Sequence, residues 1–486
     1  MAASNQFKVV IVGAGVAGLT LAHSLDKANI DYVLLDKGVV APTFGTTVTI
    51  QPHGLRILHQ LGLLDPILGQ SDMMGGAHCR TPDGKSYASN DFFGVVRRGA
   101  GYDTKTLDRQ RFLQTLYNYL PDKTRVHEHA RVEQVFEENS RVRVVLADGR
   151  EFTGDIVVGA DGVHSKMREI MWDKANAEAP GTISVDEKRG GHDMEITSNS
   201  GFSFLLLCQP DWISIIVHNK LPEEQRCTWP TRRKFTNEDM EALAKKLAPY
   251  PINESVVFGE LWKNRLKAQM ISLEEGCLDH WHFGRIVLMG DAIHKVTPNS
   301  ALGANTAMED AVVIANMFVE ALAAHPNKKP TDVEIRDAMQ RYQDSRIGRV
   351  KAIVKAAGDL TRLQAYDGWK FYFNQRWMTP IVGLDFLAGN IAKLCVGAPK
   401  LSYVKFDEQR GTLGWDDTKA AEAQDKDVST PSQKGKSGSG WREWQGDFES
   451  AVPKLLSVLV GISAIIWVFL LGTARYSVPG FTRPLL

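Results

Sequence analysis

Apolar and polar positions follow three patterns along the chain, and each pattern predicts a different element. Residues 7–12 form a short, continuous, β-branched apolar run, which is typical of a strand buried in a parallel sheet. Residues 141–146 alternate as a half-buried strand does. Residues 107–120 place apolar side chains at helical spacing, with Asp108 as a favourable N-cap. Strands that lead into helices in this way predict an α/β fold.

The first apolar strand runs directly into a glycine-rich turn, Gly13-Ala14-Gly15-Val16-Ala17-Gly18, and a helix and a second strand follow. In such a unit Gly13 permits the tight turn, Gly15 lets the backbone approach a pyrophosphate, and Gly18 allows close packing of helix on strand. The helix N-terminus attracts phosphates through free N–H groups and its dipole. Asp36 ends the second strand, eighteen residues after Gly18, and can accept hydrogen bonds from ribose hydroxyls. This βαβ unit predicts a dinucleotide site.

Two further apolar strands end in glycine-containing loops that precede helices. The strand at residues 155–158 leads into Gly159-Ala160-Asp161-Gly162, and the strand at residues 285–289 leads into Gly290-Asp291. A long helix is expected to begin near Ala304. Because ligands of open α/β sheets lie at the carboxyl ends of the strands, these loops and the first turn predict one binding crevice.

The C-terminal part carries a different signal, a charge-free run at residues 455–472. Eighteen residues of helix span about 27 Å, close to the hydrocarbon thickness of a bilayer. Tryptophans lie near the run, and Lys454 and Arg475 bracket it. We expect one membrane-spanning helix, against the alternative of a buried or interfacial helix. Residues 1–6 do not resemble the start of a signal peptide, so the N-terminal domain is expected to face the cytosol at a membrane such as the endoplasmic reticulum.

Composition narrows the function classes. Lys and Arg number 57, as do Asp and Glu, and this balance gives no reason to expect a nucleic acid partner. Five scattered cysteines without a CxxC spacing predict reduced thiols and no metal site. A chain of 486 residues suggests two or three domains.

A resemblance connects the three loops. GAGVAG with Asp36, GADGVHSKMR and GDAIHKVTPNSALGANTAMEDA resemble, in order and spacing over residues 7–358, the flavin-site motifs of single-component FAD-dependent monooxygenases of the p-hydroxybenzoate hydroxylase type. Asp108-Arg109-Gln110, Asn237-Glu238-Asp239, the stretch from His294 to Asn299 and the C-terminal apolar run are similar to those of fungal epoxidases that act on prenylated indole-diterpene and meroterpenoid intermediates.

The resemblance implies FAD as cofactor, with NADPH or NADH as electron donor, and it implies roles for particular residues. Asp36 stands where the family usually has a glutamate for the adenosine ribose. Gly45 and Thr49 would line the FAD, Arg109 would reach the flavin end, Asp161 and Gly162 would contact FAD and NAD(P)H, Asp291 would hold the ribityl or ribose hydroxyls, and Gly303, Ala304 and Asn305 would present amides to the ring. Where relatives often have Leu-Gly-Gln-Gly-Gly-Asn, this chain has Ser300-Ala301-Leu302-Gly303-Ala304-Asn305.

The implied reaction is a monooxygenation in which NAD(P)H reduces the flavin, O2 adds, and a C4a-hydroperoxide delivers oxygen to a lipophilic small molecule. Epoxidation of a prenyl alkene is the preferred interpretation, because it needs an apolar slot and no base. Aromatic hydroxylation stays open and would use a phenolate partner, for which the candidates are His218, Arg189, Arg226, Arg232 and Arg233. A catalytically idle FAD-binding protein that serves a partner is the alternative of another class. No catalytic side chain is identified.

The predicted architecture is a Rossmann-like FAD-binding domain with an inserted antiparallel-sheet substrate domain, a helical C-terminal part and one transmembrane helix. The insertion is inferred from the apolar runs at residues 202–207 and 212–217. The predicted order is residues 1–171, first part of the FAD-binding domain; 172–280, substrate domain; 281–410, second part and helices; 411–452, flexible linker; and 453–473, transmembrane helix.

Overall fold

The strands form sheets of very different size, and the largest has six strands. The structure, a computed structural model, describes residues 7–42, 47–71, 74–138, 140–163, 165–178, 195–209, 212–225, 235–253, 256–266, 268–271, 274–324 and 328–428. In chain order the strands are β1 (Lys8–Val12), β2 (Asp31–Leu35), β3 (Thr47–Ile50), β4 (Ala77–Arg80), β5 (Ser86–Asn90), β6 (Lys105–Asp108), β7 (Val126–His127), β8 (Val132–Glu138), β9 (Arg141–Leu146), β10 (Glu151–Gly154), β11 (Ile156–Gly159), β12 (Glu195–Asn199), β13 (Phe202–Gln209), β14 (Trp212–Asn219), β15 (Gly276–Cys277), β16 (His282–Phe283), β17 (Ile286–Leu288) and β18 (His294–Lys295).

Helices also form along the described part of the chain. They are α1 (Val16–Lys27), α2 (Pro52–Leu61), α3 (Leu64–Leu68), α4 (Phe92–Ala100), α5 (Arg109–Asn118), α6 (Lys166–Glu178), α7 (Asn237–Leu247), α8 (Phe258–Lys263), α9 (Gly303–Ala323), α10 (Asp332–Gln364), α11 (Trp369–Phe373), α12 (Thr379–Val382), α13 (Leu384–Val396) and α14 (Asp416–Val428), with a π turn at Asn374–Met378 and 3-10 turns at Lys123–Arg125, Glu223–Gln225, Gly290–Ala292 and Pro298–Ser300.

The six-stranded sheet has the order β16-β17-β11-β1-β2-β7, and its neighbours from β17 to β7 all pair in parallel. Strand β1 is buried from Val9 to Val12, as its unbroken apolar run predicts. Helices α1 and α9 pack against each other and contribute to the hydrophobic core of this sheet. The predicted Rossmann-like α/β fold with a helical C-terminal part is confirmed.

A second sheet, of order β14-β13-β12-β4-β5, contains the antiparallel strands expected in the inserted domain. Strands β4 and β5 also belong to it, although they come from within residues 1–171, and β4 pairs in parallel with β12. The sequence boundary at residue 171 therefore does not separate the two sheets, because strand pairing joins segments that are distant in sequence. One face of this sheet packs Phe202 and Phe204 against Leu247 and Phe258 of α7 and α8.

The predicted linker begins too early. Trp415 is fully buried, its indole N–H donates to the Gln409 carbonyl at 2.9 Å, and the Arg56 guanidinium lies 4.1 Å from its ring centroid. Trp415 belongs to the hydrophobic core, Leu413 packs against that core, and helix α14 begins directly after Trp415. The described residues up to Lys419 form one compact unit.

The predicted transmembrane helix at residues 453–473 lies outside the described residues. Within the described part of the chain, no single helix has both the length and the apolar composition to cross a bilayer. One bent pair, Trp369–Val382 with Leu384–Val396, meets the criteria only when its two members are taken together, and its bend is 90°.

Candidate functional site

The glycine-rich loops meet at one edge of the six-stranded sheet. Gly13 follows β1, Asp36 follows β2, Asp161 follows β11 and Gly290 follows β17. Since these four strands are parallel neighbours, their carboxyl ends share an edge. The strand order reverses beside β1, and a crevice at such a reversal is where open α/β sheets bind ligands.

The three glycines of the first turn meet different surroundings. Gly13 has φ +109°, and a Cβ there would lie 2.4 Å from the Ala160 carbonyl oxygen. A Cβ on Gly18 would lie 1.9 Å from the Gly13 oxygen. Gly15, the N-cap of α1, has no atom within 4 Å of its ideal Cβ position. The fold itself therefore requires Gly13 and Gly18, whereas Gly15 borders open space at a helix N-terminus, which suits an approaching phosphate.

The Asp36 carboxylate is fixed beside this turn by two backbone amides. Ala14 N–H donates to Oδ2 at 2.7 Å, and Gly38 N–H donates to Oδ1 at 2.8 Å. Each oxygen retains acceptor capacity for a hydroxyl, because a carboxylate oxygen has two lone pairs. The structure thus brings together the first turn and the acidic residue that the sequence paired with it.

Asp161 has a structural task that the sequence did not reveal. Its carboxylate accepts hydrogen bonds from Ser165 Oγ at 2.5 Å, Lys166 N at 2.7 Å and Met167 N at 3.1 Å, so it caps α6. Burial raises the pKa of Asp161 above its ordinary value, and these bonds oppose the shift. The neighbouring Gly162, at φ +83°, has no atom within 4 Å of a built Cβ and borders open space as Gly15 does.

Thr49 and Asn305 meet at the start of α9. Asn305 Nδ2 donates to the Thr49 carbonyl at 2.9 Å and to the Ala301 carbonyl at 2.7 Å, while its Oδ1 accepts from Gln51 N–H at 2.9 Å. The buried Asn305 side chain therefore fastens the helix to β3. Gly303 and Ala304 form the first turn of α9, and the nearest atom to a built Cβ on Gly303 is 4.0 Å away.

Arg109 and Asp291 lie within range of each other's charge. Burial lowers the pKa of the Arg109 guanidinium, and the negative charge of Asp291 acts in the opposite direction. Asp291 forms an ion pair with Lys295, four residues on, and its side chain is one-third exposed. Arg109 is the first residue of α5 and follows β6 directly. Strand β6 pairs with β3, the strand that contains Thr49. Gly45, the remaining predicted contact, lies outside the described residues.

A buried ion network supports the start of α9. Arg346 donates to both acids of the network, to Glu309 through Nη1 and to Asp310 through Nε at 2.9 Å. Arg349 donates to the two oxygens of Glu309, both at 2.8 Å. The Asp310 carboxylate also accepts from Gly290 N–H at 3.0 Å, which ties α9 to the loop that carries Asp291. These are positioning residues, because their contacts are with the chain and not with the crevice.

Burial and the neighbouring arginine charges together determine the protonation states of Glu309 and His53. Burial alone would raise the pKa of Glu309, but the Arg349 and Arg346 charges outweigh it and hold that pKa below its usual range. Burial lowers the pKa of His53 to about 4, so its imidazole is neutral at pH 7, 3.4 Å from Glu309. This buried ion network is not among the features predicted from the sequence. A usable signal existed, because Glu309 and Asp310 are the only charges in residues 303–318, and buried acids on an apolar helix need cationic partners.

Comparison with known proteins agrees with this geometry. A family model described as an FAD binding domain matches residues 6–355. The chain is 64% identical to the FAD-dependent monooxygenase DEP2 of Fusarium langsethiae, over 98% of this chain and 96% of that protein. It is 35% identical to the FAD-dependent monooxygenase atmM of Aspergillus flavus, over 85% and 90%.

Solved structures show the same fold. Klebsiella pneumoniae HpxO, complexed with FAD and uric acid, superposes with a TM-score of 0.65 at 19% identity, over 81% of this chain and 97% of that one. The open spaces beside Gly15 and Gly162 and the fixed Asp36 carboxylate fit the pyrophosphate and ribose of this cofactor. The chain belongs to the FAD-dependent monooxygenases, and FAD is its cofactor.

Proposed function

We propose that the chain is an NAD(P)H-dependent epoxidase that transfers one oxygen atom of O2 to an alkene of a prenylated secondary-metabolite intermediate. Its relatives DEP2 and atmM are FAD-dependent monooxygenases of fungi, which supports the oxygen transfer. The motif resemblance to fungal prenyl-chain epoxidases supports the substrate class.

Particular residues of the chain would hold the cofactor. The N-terminus of α1, left open by Gly15, would receive the pyrophosphate, and Asp36 would bind the adenosine ribose. Asp291 would hold the hydroxyls of the flavin's sugar-like chain, beside Arg109. The first turn of α9 would present its amides to the ring, fixed in place by Asn305. When bound, FAD supplies the redox and oxygen-activating chemistry.

One observation favours epoxidation over phenol hydroxylation. His218 of β14 is buried opposite Ser203, with its Nδ1 3.4 Å from Ser203 Oγ. Burial holds the pKa of His218 well below its ordinary value, so the ring is uncharged near neutral pH and offers no positive charge to a phenolate. Alkene epoxidation needs no such partner. The other phenolate candidates, Arg189, Arg226, Arg232 and Arg233, lie outside the described residues.

The test is turnover of the FAD-loaded protein with NADPH or NADH, O2 and paired substrates. Each pair is a prenylated indole or quinol and its analogue with a saturated prenyl chain. An epoxidase adds one oxygen to the first compound, removes its alkene signal in the NMR spectrum, and leaves the saturated analogue unchanged. Oxygen found on the ring of both compounds would establish an aromatic hydroxylase. Nicotinamide oxidation that no substrate stimulates would support the idle FAD-binding protein.

We also propose that residues 453–473 anchor the protein by a single membrane-spanning helix, with the catalytic part facing the cytosol. Support comes from the uncharged run at residues 455–472 and from its flanking Lys454 and Arg475. Truncation after Gly440 is expected to release a soluble, yellow protein that still turns over a short, soluble substrate analogue. Extraction of the full-length protein by a carbonate wash would contradict the anchor.

A further inference from the structure

One stretch of surface concentrates large apolar side chains. Among the described residues, fourteen large hydrophobic side chains are exposed, and seven of these lie within residues 369–387. Single exposed apolar residues are normal on a soluble protein, whereas a cluster of this size marks an interaction surface. We name it the apolar face, and it consists of Trp369, Tyr372, Phe373, Trp377, Ile381, Phe386 and Leu387.

The apolar face belongs to a bent helical segment that is fixed to the protein by its other side. Helix α11, the π turn and α12 follow one another from residue 369 to residue 382. Gly383, at φ +82°, turns the chain by 90° into α13. On the side opposite the apolar face, the side chains of Gln375, Thr379 and Leu384 are buried in the protein. The segment is therefore an ordered surface with one side packed and one side presented to the outside.

The charges of this segment favour an anionic partner. Lys370, Arg376 and Lys393 outnumber the single carboxylate between residues 369 and 396, that of Asp385. Asn90 Nδ2 donates to Asp385 at 2.7 Å, so this carboxylate is already engaged by the protein. The Arg376 guanidinium lies 5.3 Å from the centroid of the Trp377 ring, which places a cation beside the apolar face.

Length and side-chain chemistry identify the partner as the surface of a bilayer. The first arm, Trp369–Val382, spans about 21 Å as a helix and is too short to cross the hydrocarbon layer. Tryptophan and tyrosine rings favour the headgroup region, and in-plane amphipathic helices combine such residues with Lys and Arg. We propose that the apolar face dips into the headgroup region of a membrane rich in anionic lipid, and that both arms lie on the membrane without spanning it.

This surface is separate from the proposed C-terminal anchor and adjoins the second sheet. Gly201 N–H, beside β13, donates to the Ala365 carbonyl at 2.9 Å, and Lys220 pairs with Asp367 at 2.5 Å. The end of α10 thus joins strands β13 and β14 to the segment that begins at Trp369. If the substrate is prenylated, as proposed above, a membrane seated here lies close to the sheet assigned to that substrate.

The experiment places an environment-sensitive fluorophore on the full-length, FAD-loaded protein. Ile381→Cys and Phe386→Cys probe the two arms, and both side chains are more than half exposed, so the substitutions should leave the fold intact. Val333→Cys, on the exposed start of α10, is the matched control. Vesicles of phosphatidylcholine with phosphatidylserine are added, and the unsubstituted chain is labelled in parallel to subtract signal from native cysteines.

The expected result is a blue shift of the probe emission at positions 381 and 386, with quenching by lipids that carry a doxyl group near the headgroup, and neither effect at position 333. Vesicles of phosphatidylcholine alone should give a smaller shift. Water-like emission at 381 and 386 while the protein sediments with vesicles would overturn the proposal, as would failure to sediment. A shift that needs no vesicles and grows with protein concentration would assign the surface to a second copy of the chain. None of these readouts depends on turnover, so they stand apart from the test of the proposed function.

Discussion

Replacing Glu309 by glutamine tests the buried network behind the FAD site. Glu309 is fully buried and receives three hydrogen bonds from Arg346 and Arg349, whose side chains are also almost completely buried. Glutamine keeps the size but removes the charge, which leaves buried guanidinium groups without their main counter-charge. Removing one partner of a buried ion pair costs about 3–5 kcal/mol of unfolding free energy.

The same helix provides a matched control. Glu320 of α9 also pairs with an arginine of α10, Arg341, at 2.8 Å, but half or more of each side chain is exposed. Pairs of this kind contribute about 0.2–1 kcal/mol. Glu320→Gln should therefore be nearly silent, although it removes the same charge from the same helix.

The assay is urea unfolding followed by circular dichroism and flavin fluorescence, at one fixed FAD concentration, because ligand binding shifts apparent stability. Since the pKa of Glu309 is lowered, its contribution is present above its unfolded pKa and is lost only as pH falls through the lower folded pKa. The difference between wild type and Glu309→Gln should consequently stay constant from pH 8 to pH 6. Equal losses in Glu309→Gln and Glu320→Gln would refute the reasoning.

Three further predictions concern the cofactor and pH. Gly15→Val should fold but lose FAD, because a Cβ there has no protein atom within 4 Å and the side chain would extend into the space assigned to the pyrophosphate; full flavin occupancy would refute this assignment. Asp291→Ala should weaken FAD binding about ten- to a hundredfold, the equivalent of one charge-assisted hydrogen bond; an unchanged dissociation constant by flavin fluorescence titration would show that the side chain faces elsewhere. The pKa of His53 is lowered to about 4 by burial, so the unfolded chain alone takes up that proton between about pH 6.5 and pH 4, and stability falls as pH falls through this window. His53→Gln should flatten this part of the urea-stability profile by up to about 3 kcal/mol, whereas an unaltered slope would contradict a neutral His53.

Local rules predicted the elements that carry their own information. The alternation of residues 141–146 matches β9 at both ends. Asp108 caps α5 by accepting from Arg111 N–H, as its position before the helical pattern predicts. Side-chain period and caps depend on residues within a few positions of one another, so a single sequence contains the whole cause.

Long-range contacts explain what the sequence did not predict. The hairpin β4–β5 joins the second sheet because β12, more than a hundred residues away, pairs with β4. The polar composition that follows residue 411 predicts a linker there, yet Trp415 packs against Arg56. In both cases the residues that determine the structure are far apart in sequence, so the local pattern does not reveal that they are in contact.

The loop before α9 holds one strained residue, Ala301, which the surrounding contacts keep in place. Ala301, a residue with a Cβ, adopts φ +52°, in the left-handed region that glycine favours. An alanine there costs about 1–2 kcal/mol. Two contacts hold it in place: its N–H donates to the Pro298 carbonyl at 2.8 Å, and its carbonyl accepts from Asn305 Nδ2 at 2.7 Å. Because Asn305 also binds Thr49, the contacts that fix the start of α9 also hold Ala301 in its strained conformation.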